Sequence, residues 1–184
     1  TMKIIALVGS IRRSSYNRKL ATFVQKRYAD QLDVTIPNLG ALPFYDQDIE
    51  LEAPAEVQAF KQTVMDADGV IFVTPEYNHS VPGVLENAID WLSRVERPLI
   101  GKPAMILGAT MGPLGTVRAQ SHLRQVLDSP GVGMQILPGN EFLLSAVQDK
   151  MNADGDLTDN KVVEWLDHCV ADYLKFAHQL AAND

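Results

Sequence analysis

Two short polar segments carry the residues with chemistry to offer. The first, Gly9-Ser10-Ile11-Arg12-Arg13-Ser14-Ser15-Tyr16-Asn17, joins an apolar run to an amphipathic stretch. At a helix start, free backbone N–H groups and the helix dipole favour an anion. Ser10, Ser15 and Asn17 add neutral donors and Arg12 a charge-assisted one, a set that suits a terminal phosphate monoester. The loop has neither G-x-G-x-x-G nor G-x-x-x-x-G-K-[ST], so it is not a dinucleotide fingerprint or a P-loop. A polar turn with Ser15 or Asn17 capping the helix is the plainer alternative.

The second segment is Pro75-Glu76-Tyr77-Asn78-His79-Ser80-Val81-Pro82, a loop held between two prolines. Backbone donors and acceptors along one edge, with Tyr77 to pack on, suit a flat heteroaromatic ring. Asn78 can orient the loop or hydrogen-bond such a ring, and a tight capped turn is again the alternative. A third segment, Thr110-Met111-Gly112, offers a hydroxyl and a glycine past which a ligand can approach the backbone.

Other chemistries lack their residues. His79, His122, His168 and His178 share no metal-ligand spacing with one another or with Cys169. There is no G-x-S-x-G elbow. The run Asn152 to Asp156 places its glycine too early for a calcium loop and lacks the closing Glu. Neither a catalytic nucleophile nor a metal ligand is nominated.

The elements that must position these segments follow from apolar patterning. Aliphatic runs at 3–8, 32–36, 69–74, 103–110 and 133–137 read as strands, the second nearer an edge. Amphipathic stretches at about 17–30, 54–68, 83–94, 116–127 and from 160 onward read as helices. Residues 37–53 look irregular, with acidic positions at 46, 48, 50 and 52 expected in a solvated loop. Trp91 suits either core or interface, with interface the preferred reading. Strand and helix in alternation imply a parallel sheet covered on both faces, and one domain over 1–184. In such a sheet, ligands bind outside the carboxyl ends of the strands at the switch point. That rule selects the loops after the first, third and fourth strands, where the three segments lie.

Composition agrees. Hydrophobic residues make up 46% and charged residues 21% of 184, enough for a filled core without disulfides or structural metal. A net charge of -7 argues against nucleic acid as partner. The single cysteine forbids an intrachain disulfide. No run approaches the roughly 20 apolar residues of a membrane span, and no targeting segment stands out, so a cytoplasmic protein is expected.

With these segments in hand, the chain resembles the NADPH-dependent FMN reductases, the group that includes bacterial quinone reductases described as chromate reductases. The resemblance rests on Gly9 to Arg12 with Ser15 and Asn17, on Thr74 to Gly83, and on Asn87-Ala88-Ile89-Asp90-Trp91-Leu92-Ser93, and it spans about residues 2–180. It implies a flavodoxin-like three-layer α/β/α fold with strand order 2-1-3-4-5 and FMN bound noncovalently. By position, Ser10, Arg12, Ser15 and Asn17 would hold the phosphate, with Ile11 and Tyr16 also at the cofactor. Pro75, Glu76, Tyr77, Asn78 and His79 would line the ring, with Thr110 and Gly112 at its other edge. His79 stands where close relatives often carry Tyr, and Thr110 where Ser is common. Relatives are usually dimers or tetramers with the flavin near the interface, and Arg118 matches a position linked to that interface.

The function expected is hydride transfer from NAD(P)H through FMN to quinones or similar acceptors such as azo, nitro or chromate compounds or free flavin. The alternative is a flavodoxin-type electron-transfer module reduced by a protein partner. A phosphorylated receiver domain is disfavoured, because it needs acidic residues where this chain has Gly9-Ser10.

Overall fold

The alternation of aliphatic and amphipathic segments is realised as a parallel sheet between two layers of helices. A computed structural model describes residues 1–183. In chain order, β1 (Met2–Val8) leads to α1 (Tyr16–Arg27), β2 (Leu32–Thr35), 3-10 turns at Leu39–Ala41 and Gln47–Glu52, and α2 (Ala55–Met65). Then come β3 (Gly69–Val73), α3 (Gly83–Leu92), β4 (Pro103–Ala109), α4 (Val117–Asp128), β5 (Gln135–Ile136) and β6 (Phe142–Leu144). A 3-10 turn at Val147–Asp149 precedes the long α5 (Asn160–Ala181). The strands lie in the order β2-β1-β3-β4-β5, all parallel, with β6 also on β4. This is the flavodoxin-like order, and β2 is the edge strand expected, its burial alternating along the chain.

The fifth sheet position departs from the single strand read at 133–137. Only Gln135–Ile136 pairs there, against Pro103 and Ala104. Pairing resumes with Phe142–Leu144 against Leu107–Ala109. Between them Pro138 has no N–H to give a ladder, and Gly139 turns the chain at φ +73°. Three residues are too few to show a period, so β6 left no trace in the sequence.

Alternation along the strands sorts the core. Ile4, Ala6, Val8, Ile71, Val73, Met105 and Leu107 face α1 and α5, meeting Leu20, Val24, Leu166, Val170 and Tyr173. Ile5, Leu7, Val70, Phe72, Ala104 and Ile106 face the other way, onto Phe60, Val64, Leu85, Ile89, Leu123 and Leu127 of α2, α3 and α4. Each buried Val, Leu, Ile, Phe or Met among them contributes roughly 1.5–3 kcal/mol by leaving water. Both faces are covered, which is why β1, β3 and β4 read as unbroken aliphatic runs.

The segment before α2 is better ordered than its composition suggests. Asn87 on α3 accepts from Tyr45 N at 2.7 Å and donates to Pro43 O at 2.9 Å. Trp91 donates its indole N–H to the same carbonyl at 2.8 Å and meets the Tyr45 ring edge-on at 5.2 Å. Trp91 is fully buried, so the interface reading is corrected to core. The aromatic motif on α3 anchors the 43–45 loop.

Glu50, one of the acidic loop positions, does not lie free in solvent. Arg94 donates to it twice, at 2.8 and 2.9 Å, and Tyr45 Oη donates at 2.5 Å. These bonds, Arg94 first, hold the Glu50 carboxyl at about 2 against an ordinary 4.5. A lowered carboxylate pKa stabilises the folded state above the unfolded value and ceases to do so as pH falls through the folded one. Arg94→Ala is therefore expected to destabilise the protein at neutral pH, with the difference from wild type shrinking between pH 4.5 and about 2. Urea unfolding across that range checks it, and a difference independent of pH would contradict the assignment.

Candidate functional site at the strand carboxyl ends

The three polar segments meet where β1, β3 and β4 end. Gly9 N donates to Val73 O and Thr74 N to Leu107 O, so the loops leave the sheet in step. A Cβ at Gly9 would press on Pro75, Pro82 and Thr74 at 3.1–3.4 Å, so the glycine lets the first loop lie against the second. Thr74 is fully buried and donates to Pro75 O at 2.7 Å.

In the first loop, Ser15 is the N-cap of α1 and accepts from Arg18 N at 3.2 Å. Its O–H proton is still available to a ligand. Ser10, buried like Ser15, accepts from Arg12 N at 3.4 Å. Among the described residues, the backbone N–H groups of Ser10, Ile11, Arg13 and Ser14 make no hydrogen bond, and Arg12 has no ion-pair partner. Capping and anion binding are thus compatible here. The cap uses one lone pair of Ser15 and leaves the donors.

Asn17 does more than its helix position suggested. It reaches across the end of β3, which lies between β1 and β4. There its carboxamide donates to Ala109 O at 3.0 Å and accepts from Ala109 N at 2.8 Å. One amide N–H is left for the loop. Tyr16 is half-buried beside it, with Lys19 Nζ 5.7 Å from its ring, while Ile11 is 67% exposed.

The second loop is a hairpin in miniature. Tyr77 and Ser80 exchange backbone hydrogen bonds at 3.1 and 3.0 Å. The turn between them is Asn78 at φ +51° and His79 at φ +63°. Positive φ is uncommon for residues with side chains, though Asn and His tolerate it better than most. Tyr77 is half-exposed, and Asn78 and His79 form the tip of the turn. Glu76 points elsewhere, toward the start of α4, where its carboxylate accepts from Arg118 N at 2.9 Å and Ala119 N at 3.0 Å.

The third loop is braced by a fourth that sequence reasoning missed. Thr110 N donates to Leu144 O, Val147 N to Thr110 O and Ala146 N to Gly112 O, all at 2.9–3.0 Å. Thr110 Oγ1 accepts from Gly112 N at 3.3 Å. Ala146 sits at φ +47°, a left-handed position held by no glycine, so nothing in the sequence marked it. Gly108 was also missed: a Cβ there would collide with Thr116 Oγ1 and lie 2.8 Å from Thr74 O.

The arrangement is open and amphipathic. Buried hydroxyls and free N–H groups lie at one end, and Tyr77, Met111 and Leu114 are about half-exposed around the other loops. Among the described residues, no group of His, Cys, Asp or Glu is placed to hold a metal, and no helix is long and apolar enough to cross a membrane. A cavity of about 920 Å³ lies at the opposite, amino ends of β1, β3 and β4. Its cation, Lys102, is committed to the carbonyls of Met65 and Ala67.

The profile of a family described as NADPH-dependent FMN reductase matches residues 2–149. The NADH:(hydroxy)cinnamate reductase subunit CrdA of Vibrio ruber is 38% identical over 180 residues, covering 97% of this chain and 89% of the relative. A quinone reductase of Escherichia coli K12 is 38% identical over 170 residues, covering 90% and 89%. The solved structure of FerB, a flavoenzyme NAD(P)H:(acceptor) oxidoreductase from Paracoccus denitrificans, superposes with a TM-score of 0.90 at 32% identity over 97% of this chain and 98% of that one.

Asn17→Ala would leave both polar groups of the Ala109 peptide unmatched in a buried place. A loss of about 2–3 kcal/mol is expected. Urea denaturation of the FMN-free protein measures it. A change below about 0.5 kcal/mol, as for an ordinary surface position, would show that the clamp carries little.

Proposed function

The chain belongs to the NADPH-dependent FMN reductase family, and from that premise we propose that it is an FMN-dependent NAD(P)H oxidoreductase of quinones or similar acceptors. The carrying observation is the set of donors after β1: free N–H groups, two buried hydroxyls and an unpaired Arg12 beside a helix start. That set fits a phosphate monoester, and the half-exposed Tyr77, Met111 and Leu114 beyond it fit a flat ring. When bound, FMN supplies the chemistry of accepting hydride from NAD(P)H and releasing electrons to an acceptor.

The residues of this chain have holding and shaping roles. Ser10, Ser15, Arg12 and the spare N–H of Asn17 hold the phosphate, with the backbone of Ile11 and the ring of Tyr16 flanking it. Pro75, Glu76, Tyr77, Asn78 and His79 form one wall of the ring site. Thr110 and Gly112 form the other, with the Gly112 backbone open to close approach. Backbone N–H groups of these two loops would offset negative charge gathered on the ring edge. No side chain is assigned to nucleophilic or acid–base work, and none is needed where the cofactor carries the reaction.

The whole of 1–184 acts in this reading as one domain, in the cytoplasm. Its partners are NAD(P)H, a small acceptor and a second copy of itself, as homodimer or homotetramer with Arg118 at the interface. The exposed position of Arg118 on α4 supports that place. Light scattering on the purified FMN-loaded protein tests it, and a monomer mass would count against it.

Anaerobic addition of NADPH, then NADH, to FMN-loaded protein is expected to bleach the visible flavin band within the mixing time of a manual assay. With a quinone, initial rates should give parallel double-reciprocal lines. Tight FMN binding without bleaching would favour the electron-carrier alternative, and no uptake of FMN would overturn both. Arg12→Ala should weaken FMN about tenfold or more, the worth of one charge-assisted hydrogen bond. Flavin fluorescence titration reads that change, and an unaltered affinity would remove Arg12 from the phosphate site.

A further inference from the structure

Helix α4 begins without a cap of its own. Thr116, the residue before it, is left-handed at φ +67°, its side chain makes no capping bond, and the first turn holds no acidic residue. The Thr116 hydroxyl is already engaged, accepting from Gln120 Nε2 at 3.1 Å. The cap comes instead from Glu76, some forty residues earlier. Its Oε1 accepts from the backbone N–H of both Arg118 and Ala119, at 2.9 and 3.0 Å, and its Oε2 faces the Arg118 guanidinium at 3.4 Å. The side chain is only 15% exposed, so this is a largely covered, charge-assisted contact at the positive end of a helix.

A second tie lies one turn along the same helix. His122 Nδ1 pairs with Ser80 Oγ at 2.9 Å. Glu76 and Ser80 therefore bracket Tyr77, Asn78 and His79, and both are tied to α4. The bracketed turn is the one whose two central residues sit at positive φ. A strained backbone persists when its surroundings over-determine it, and here α4 supplies that hold from outside the loop.

We propose that Glu76 is a positioning residue for the flavin, acting through the Tyr77–Ser80 turn that it pins to α4 and through the negative charge that it keeps where that turn meets the start of α4. The proposal rests on the FMN-site reading above and goes beyond it in separating two roles for one carboxylate. Holding the turn needs an acceptor oxygen, which glutamine retains. Setting the local potential needs the charge, which glutamine lacks.

Glu76→Gln and Glu76→Ala separate the roles, read by FMN affinity, by the reduction potential of the bound flavin and by melting of the FMN-free protein. E76Q is expected to bind FMN within about threefold of wild type, while its reduction potential moves positive because a nearby negative charge is gone. E76A is expected to lose about tenfold or more in FMN affinity. Should E76A fail to fold, the potential of E76Q decides alone. If the affinity of E76A and the potential of E76Q both match wild type and only melting shifts, Glu76 is a helix cap and nothing more. A wild-type protein that takes up no FMN overturns the underlying reading and this role together. Normal uptake beside indifferent variants overturns this role alone.

Discussion

Between the start of α1 and the end of β4, the Asn17 carboxamide closes two hydrogen bonds on the Ala109 peptide, across a strand that belongs to neither. A parallel sheet ends in peptides whose hydrogen-bonding groups have no neighbour left to pair with, and burying them unpaired is costly. Asn17 settles that requirement for Ala109 and, in doing so, fixes how far α1 stands from β4. The opening between the first and third loops follows from that distance. The second loop must then fit between them, which is why Gly9 has no room for a Cβ against Pro75 and Pro82.

The same requirement explains the other contacts around the opening. The Thr110 amide and the Thr110 and Gly112 carbonyls are taken up by Leu144, Val147 and Ala146, so β6 and the turn after it keep the third loop from collapsing inward. Glu76 answers the free amides of α4, and Ser15 one of those of α1. Among the described residues, the first loop keeps a run of unanswered amides at Ser10, Ile11, Arg13 and Ser14. A run of free donors beside a helix start is suited to an anion, as the proposed phosphate site requires.

Much of this was legible before any coordinates. Five strands and five helices followed from aliphatic runs and helical periodicity, and their alternation implied a doubly wound sheet whose ligand lies at the carboxyl ends. The first loop and the Tyr77 turn were visible because glycine, proline, serine and arginine have local conformational and charge preferences that need no partner to be read. Where those preferences were weak, the reading slipped. β6 is three residues long, the left-handed Ala146 carries no glycine, and Trp91 is a large apolar residue whose partner, Pro43, lies 48 positions away.

The sequence by itself determined the layered fold, the strand order through its family resemblance, and which segments are polar at the strand ends. All of these depend on local patterning that neighbouring residues carry together. Only the tertiary structure decided where the polar side chains point. Asn17 and Glu76 read only as residues of the site, and the fold also has one clamp Ala109 and the carboxylate of the other cap α4. Glu50 read as solvated, yet Arg94 and Tyr45 hold it. A side chain's hydrogen-bond partner is set by which peptides are left unsatisfied nearby once the chain has folded. For Asn17 with Ala109, Glu76 with Arg118 and Glu50 with Arg94 that partner lies 42 to 92 residues away, and no local pattern encodes it.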